Sequence, residues 1–337
     1  MSFGAAGATG SSLPAGLIVD EKTPLHLHAR YAGLTFCGCA HAIFLCELAH
    51  SLKCLIGSKT GARDSCTSGW HGDFCVGILG LGNLGKQLVL SLLKKTHIKP
   101  TQIKISTRTP ESAEECVPAG VECFFDNRRL AAWADVLFLC CLPSHLHRVC
   151  ADLRCHLPKH CLVYSFVTAV PVTSIAEHLG HNFVLKPQYQ LEACHASDLW
   201  LSCSHLTAAL SDPSLIEASC PLAIQGGISL GLTWVCGVLY SLLNICTSAC
   251  LGSSEALYLI NGILTENGMN NEPLLNAQSF IGSSSASVLD PNESFPWISL
   301  TDAQTKETPL LRFVTSSKSV QQFICAAFKT SLERTIK

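Results

Sequence analysis

A glycine-rich turn between an apolar run and a helical pattern constrains this chain more than any other feature. The apolar residues 75–79 are followed by Gly80, Gly82 and Gly85 at the spacing Gly-x-Gly-x-x-Gly. The first glycine of such a motif allows a tight turn out of a strand. The second lets the backbone approach a pyrophosphate, and the third lets a helix pack against the strand. The spacing predicts a dinucleotide site formed by Gly80, Leu81, Gly82, Asn83, Leu84 and Gly85.

The residues after the glycines separate this interpretation from a glycine-rich turn without function. Leu84, Leu88 and Leu92 recur at helical spacing, so the segment has one face to bury. Unpaired amides at the start of such a helix bind an anion without a dedicated basic side chain. The context therefore favours dinucleotide binding.

The end of the second predicted strand indicates which dinucleotide is bound. About 20 residues after the glycines, an acidic residue would hold the ribose 2′-hydroxyl of NAD. Here the alternating residues 103–106 lead instead into Thr107, Arg108 and Thr109. A guanidinium fork can bind two oxygens of a 2′-phosphate, so NADP is favoured over NAD. A solvated turn residue is the alternative reading of Arg108.

Composition excludes several classes of protein. The chain has 337 residues, 48% of them hydrophobic and 14% charged, which indicates a large buried interior and room for two domains. A net charge of −2 gives no electrostatic footprint for nucleic acid or an anionic membrane surface. The twenty cysteines are scattered, many of them in apolar runs, which favours reduced thiols. We therefore expect an intracellular, cytoplasmic protein.

Two apolar tracts, residues 31–48 and 228–252, raise the question of a membrane span. The second carries no charged residue and exceeds the roughly 20 residues that a bilayer requires. Asn244, several hydroxyls and the lack of flanking basic residues favour a helix buried in protein. An anchor through residues 228–252 is the alternative.

The remaining pattern predicts the architecture. Apolar runs at residues 121–124, 136–141, 161–167 and 182–185 alternate with helical segments, as in a parallel sheet with helices on both faces. We predict an α/β fold with a Rossmann-type doubly wound sheet over residues 74–190. A mainly α-helical domain follows over 191–337, and residues 1–73 form an extension with a helical segment. Residues 282–294 are expected to form a flexible loop.

Four stretches resemble the pyrroline-5-carboxylate reductases in order and spacing. They are residues 80–86, 106–110, 134–143 and 163–166, and the resemblance covers about residues 74 to 186. It implies a divergent NADP-dependent oxidoreductase with an all-α dimerisation domain, hence a homodimer. It also implies that residues 140–143 and 167–169 edge the cofactor cleft. Cys141, Leu142 and Pro143 are thus candidate cofactor contacts, and we add His145, which follows them at a predicted helix start.

The chain departs from those reductases where they bind substrate. Their Met-Pro-Asn-Thr-Pro loop is replaced by Lys186-Pro187-Gln188-Tyr189-Gln190, and their Ser-Pro-Gly-Gly-Thr-Thr turn has no counterpart between residues 261 and 311. A small polar substrate needs specific hydrogen-bond partners, so proline synthesis is not implied. We expect an unidentified small carbonyl or imine substrate, or else a non-catalytic NADP-binding sensor or scaffold.

Few side chains near the predicted cleft are candidates for catalysis or metal binding. Lys186 or Tyr189 could protonate or polarise a carbonyl or imine, although solvated or structural roles also fit them. A metal site is the other interpretation of so much Cys and His, for example Cys37, Cys39 and His41. No paired Cys-x-x-Cys knuckles support it, and we expect no metal.

Overall fold

The computed structural model of the protein describes residues 22–60, 73–113, 120–191, 197–203, 205–223, 226–265 and 274–334. Its centre is a parallel sheet of short strands in the order β3-β2-β1-β4-β5-β6. The strands are β1 (Val76–Leu79), β2 (Ile103–Ser106), β3 (Glu122–Phe124), β4 (Val136–Leu139), β5 (Leu162–Ser165) and β6 (Val184–Leu185). The predicted doubly wound α/β fold is confirmed.

Alternate residues of each central strand belong to two separate apolar clusters. Ile78, Phe138 and Tyr164 lie in the larger one, while Leu137 and Val163 lie in the other. Strands covered on both faces are apolar throughout, which is why these runs show no polar alternation. The second cluster is closed by α3 (Asn127–Trp133), α4 (Pro143–Leu153) and α5 (Val172–Leu179).

The opposite face is covered by α2 (Asn83–Lys95) and by a long N-terminal helix, α1 (Lys22–Thr60). Helix α1 contacts α2 and also helices of the C-terminal part. Its residues Leu25–Ser58 are long and apolar enough to cross a membrane by length and composition, and 83% of an 18-residue apolar stretch among them is buried inside the structure. This helix therefore belongs to the protein core as the chain is folded here.

Residues 228–252 do not form the single long helix considered from the sequence. They divide into β8 (Ile228–Leu230) and α9 (Leu232–Ser248). Strand β8 pairs antiparallel with β7 (Tyr189–Leu191), and α9 is buried along nearly its whole length. The turn at Gly231 breaks the apolar tract, since it is the N-cap of α9 in extended conformation.

The C-terminal part is mainly helical, as expected. Its other helices are α6 (Ser197–Leu201), α7 (Leu206–Ala209), α8 (Pro213–Ser219), α10 (Ser253–Thr265), α11 (Ala277–Ile281), α12 (Ser283–Ala286), α13 (Leu300–Thr305), α14 (Pro309–Ser316) and α15 (Lys318–Glu333). The expected loop at 282–294 is more ordered than its composition indicates: it contains α12, and its Asp290 and Pro291 carbonyls accept hydrogen bonds from Ser253 and Ser254. The domain boundaries at 74 and 191 stay a prediction.

Candidate cofactor site

The glycine turn lies at the carboxyl edge of the sheet, between β1 and α2. Gly80 has a φ of +100°, a conformation that side chains with a Cβ rarely adopt. Its amide donates to the carbonyl of Ser106 at 2.9 Å, and a Cβ on it would lie 3.0 Å from the carbonyl oxygen of Cys140. The turn is thus held between the ends of β2 and β4.

The other two glycines differ in the space around them. A Cβ on Gly85 would lie 2.2 Å from the carbonyl oxygen of Gly80, so only glycine lets α2 approach the strand this closely. A Cβ on Gly82 would meet no atom within 4 Å. Because α2 begins at Asn83, this open space lies in front of its first turn, where helix amides lack carbonyl partners.

The remaining residues of the turn divide between the core and the surface. Leu81 and Leu84 pack against the larger apolar cluster. Asn83 is exposed, and its side-chain amide donates a hydrogen bond to the hydroxyl of Tyr31 on α1. No sequence pattern points to Tyr31, because 52 residues separate it from Asn83.

The predicted 2′-phosphate residues follow β2 at the same edge. The amide of Thr107 bonds to the Phe124 carbonyl at 2.9 Å, which holds the start of this loop against β3. Arg108 and Thr109 are exposed beyond it. Since Ser106 accepts from Gly80, the loop is adjacent to the glycine turn.

The loop after β4 brings the other predicted contacts to this edge. The Cys140 amide bonds to the Leu79 carbonyl at 2.9 Å, directly beside the glycine turn. Leu142 is the N-cap of α4 and is 63% exposed, and Pro143 occupies the first turn of that helix. His145 donates its amide to the Leu142 carbonyl at 3.0 Å. Cys141, Leu142, Pro143 and His145 therefore lie together at the start of α4.

Lys186 reaches the same edge from the end of β6. Its ammonium donates to the carbonyl of Thr168 at 3.0 Å, in the loop that follows β5. The side chain is buried, and among the described residues no carboxylate forms an ion pair with it. Desolvation by burial lowers the pKa of Lys186. A buried ammonium without a counter-ion is unfavourable in a protein interior, which makes it a candidate functional group.

Tyr189 points into the core rather than towards this edge. Its hydroxyl bonds to Nδ1 of His41 at 2.9 Å, and the two rings stack with centroids 5.6 Å apart. Burial raises the pKa of Tyr189 well above its usual value. These contacts hold the phenol in place, in keeping with the structural role that was considered for Tyr189 from the sequence.

His41, one of the residues considered as a metal ligand, is hydrogen-bonded to other groups of the protein. Nε2 of His41 lies 2.9 Å from the carbonyl oxygen of Ser219, so both ring nitrogens are engaged. Across the described part of the chain, no group of three or more His, Cys, Asp or Glu could hold a metal ion.

Several known proteins are similar to parts of this chain. The family described as "NADP oxidoreductase coenzyme F420-dependent" matches residues 75–167. Pyrroline-5-carboxylate reductase of Escherichia coli (strain K12) is 27% identical over 108 residues, which is 32% of this chain and 40% of that enzyme. The structure of a Plasmodium falciparum pyrroline carboxylate reductase with NADP bound covers 77% of this chain and 98% of its own, at 14% identity and a TM-score of 0.31.

A longer match comes from a mammalian protein. NADP-dependent oxidoreductase domain-containing protein 1 of Mus musculus is 36% identical over 322 residues, which is 92% of this chain and 88% of the mouse protein. The relationship to the pyrroline-5-carboxylate reductases inferred from the sequence is confirmed. The chain belongs to the family of NADP-dependent oxidoreductase domain-containing protein 1, a divergent branch of the pyrroline-5-carboxylate reductase-like proteins.

Proposed function

We propose that the protein is an NADP(H)-dependent oxidoreductase that transfers hydride to or from a small carbonyl or imine compound. The open space in front of α2, bordered by the loops after β2 and β4, is the observation that carries this proposal. The name of the mouse relative, whose match covers 92% of the chain at 36% identity, supports the cofactor class.

Each loop at the carboxyl edge has a role in holding the cofactor. The first-turn amides of α2 suit the pyrophosphate, and the exposed Arg108 with Thr107 and Thr109 suits the 2′-phosphate. Pro143 and His145 border the adenosine half from the start of α4. The nicotinamide would lie at the ends of β4 and β5. When bound, it supplies or accepts the hydride.

We assign the transfer of the proton to Lys186. As hydride reaches the substrate carbon, the C=O or C=N double bond opens, and the ammonium transfers a proton to the oxygen or nitrogen. The resulting neutral amine then takes a proton from solvent. A pKa lowered by burial favours this role, since a general acid works best when its pKa lies nearer the working pH.

A homodimer in the cytoplasm is part of the same proposal. The described cysteines are free thiols, which suits a reducing compartment. A second copy would supply helical surface to close the open edge over the nicotinamide. We propose no nucleic-acid partner and no membrane anchor, because the net charge is close to zero and the long apolar helix α1 is mostly buried.

The test measures cofactor binding first and substrate turnover second. NADPH and NADP⁺ are titrated by fluorescence, and a panel of carbonyl and imine compounds is then screened for oxidation of NADPH. Saturable binding and turnover of at least one compound are the expected results. Absence of NADPH binding by the full chain would overturn the proposal.

A non-catalytic NADP-binding sensor or scaffold is the second candidate. It is favoured by Tyr189, which occupies the substrate-loop position of the reductases yet is partly buried against the core and bonded to His41. Tight binding of NADPH without turnover across the whole panel would support this function over catalysis.

A further inference from the structure

Helix α1 passes beside the glycine turn at Tyr31, although it lies outside residues 75–167, which the oxidoreductase family matches. Tyr31 of this helix is 51% exposed, and its hydroxyl accepts a hydrogen bond from the side-chain amide of Asn83. Asn83 is the first residue of α2. The phenol is therefore within one hydrogen bond of the helix turn that faces the open space at Gly82.

The hydroxyl of Tyr31 retains one donor for another group. A phenol can accept and donate at once, and the bond from Asn83 uses only its acceptor side. Among the described residues no acceptor takes the remaining hydrogen. A phosphate oxygen in front of α2 would be such an acceptor, and bonds to charged oxygens are the stronger ones.

The position of Tyr31 is fixed by the packing of α1. Two residues later, Gly33 lies so close to Trp200 that a Cβ on it would be 2.8 Å from the indole. One turn further on, a Cβ on Gly38 would lie 3.1 Å from the Phe166 ring. These close approaches on both sides hold the helix in register with the sheet edge.

We infer that Tyr31 is a cofactor-binding residue whose hydroxyl donates to the pyrophosphate, with Asn83 orienting it. The N-terminal helix is thus part of the dinucleotide site. This inference rests on the proposed function, since it assumes that NADP(H) binds at the glycine turn. Because the pyrophosphate is common to NADPH and NADH, the contribution of Tyr31 does not depend on the 2′-phosphate.

The test is Tyr31→Phe, which removes the hydroxyl and keeps the exposed ring. Dissociation constants for NADPH and NADH are measured by fluorescence titration, and the melting temperature reports on the fold. We expect both constants to rise by roughly tenfold, with an unchanged melting temperature. Tyr258→Phe, at another exposed tyrosine on α10, is the matched control and leaves both constants unchanged.

Adenosine 2′-monophosphate, which lacks the pyrophosphate, completes the design, and its affinity should not respond to Tyr31→Phe. Wild-type affinity of the variant for NADPH overturns the inference and leaves the proposed function standing. A loss for NADPH alone also overturns it, because it would place the hydroxyl at the 2′-phosphate. If the wild-type protein binds neither dinucleotide, the proposed function fails, and the inference fails with it.

Discussion

Nδ1 of His41 accepts a hydrogen bond of 2.9 Å from the hydroxyl of Tyr189, and this bond joins α1 to β7. The other ring nitrogen, Nε2, lies 2.9 Å from the carbonyl oxygen of Ser219. A carbonyl only accepts, so Nε2 carries the proton and Nδ1 is the acceptor. Burial lowers the pKa of His41 from 6.5 to about 4, so the imidazole is neutral at pH 7 and carries only this one proton.

This neutral histidine makes the fold sensitive to acid. Between pH 6.5 and about 4 the unfolded chain binds a proton at His41 and the native chain does not, so the free energy of unfolding falls as pH falls. By pH 4 the loss is roughly 3 kcal/mol. Urea unfolding at pH 7, 5.5 and 4 measures it. His41→Gln should be less stable at pH 7 but lose less on acidification; equal slopes would contradict the assignment.

The C-terminal part of α1 is held by a buried ion pair. Nζ of Lys53 lies 2.8 Å from Oδ2 of Asp135, and the same carboxylate accepts the Cys75 amide at 2.7 Å. Lys53→Met should lower the free energy of unfolding by about 3–5 kcal/mol, because it leaves a buried carboxylate without its cation. Adding Asp135→Asn should recover part of that loss. Lys306→Met, in an exposed pair with Asp302, should cost less than about 1 kcal/mol in the same urea titration.

The features that the sequence predicted are local ones. The glycine turn and the central strands can be predicted from residues a few positions apart, because apolar runs and turn glycines favour a particular local conformation. Strand β8 was missed because Ile228, Ser229 and Leu230 open a long apolar tract and are too few to show alternation.

The features that it did not predict depend on contacts between distant segments. His41 was considered as a metal ligand, yet Tyr189, 148 residues away, bonds to its ring. The Lys186 contact with Thr168 and the Tyr31 contact with Asn83 likewise join separate elements. Spacing therefore located the loops that we propose for the cofactor, whereas the contacts between distant elements required the fold.

Substitutions at two glycines separate folding from binding. Gly85→Ala brings a Cβ to within 2.2 Å of the Gly80 carbonyl oxygen, so we expect a loss of about 1–3 kcal/mol and no NADPH binding. Gly82→Ala meets no atom within 4 Å. It should change stability by less than about 0.5 kcal/mol, yet weaken NADPH because the methyl group enters the pyrophosphate space.

Gly262→Ala is the control for both glycine variants. It lies inside α10 with open space around it, so it should stabilise the protein by about 0.5–1 kcal/mol without affecting NADPH. Urea titration and NADPH fluorescence measure the three variants together. Wild-type NADPH affinity in Gly82→Ala would rule out the pyrophosphate position.

Lys186→Met should raise stability while removing catalysis. The ammonium is buried beside a single carbonyl, and methionine avoids the cost of desolvating it. Because the pKa of Lys186 is lowered in the folded protein, the unfolded chain binds the proton more tightly. The free energy of unfolding of the wild type therefore rises as the pH approaches 10.5, and this rise should be smaller in the variant. Turnover should fall by about 10²–10⁴ with NADPH affinity unchanged. A less stable variant with full turnover would exclude the proposed role.

Arg108→Asp tests which dinucleotide the site prefers. The side chain is exposed in the loop after β2, so its replacement should leave the melting temperature unchanged. An aspartate there repels a 2′-phosphate and can accept from a ribose 2′-hydroxyl, so we expect NADPH affinity to fall by roughly 100-fold and NADH affinity to hold or improve. Arg312→Asp, at an exposed arginine on α14, is the matched control and should alter neither. Equal losses for both dinucleotides would refute the 2′-phosphate role, because only a contact to that phosphate distinguishes the two cofactors.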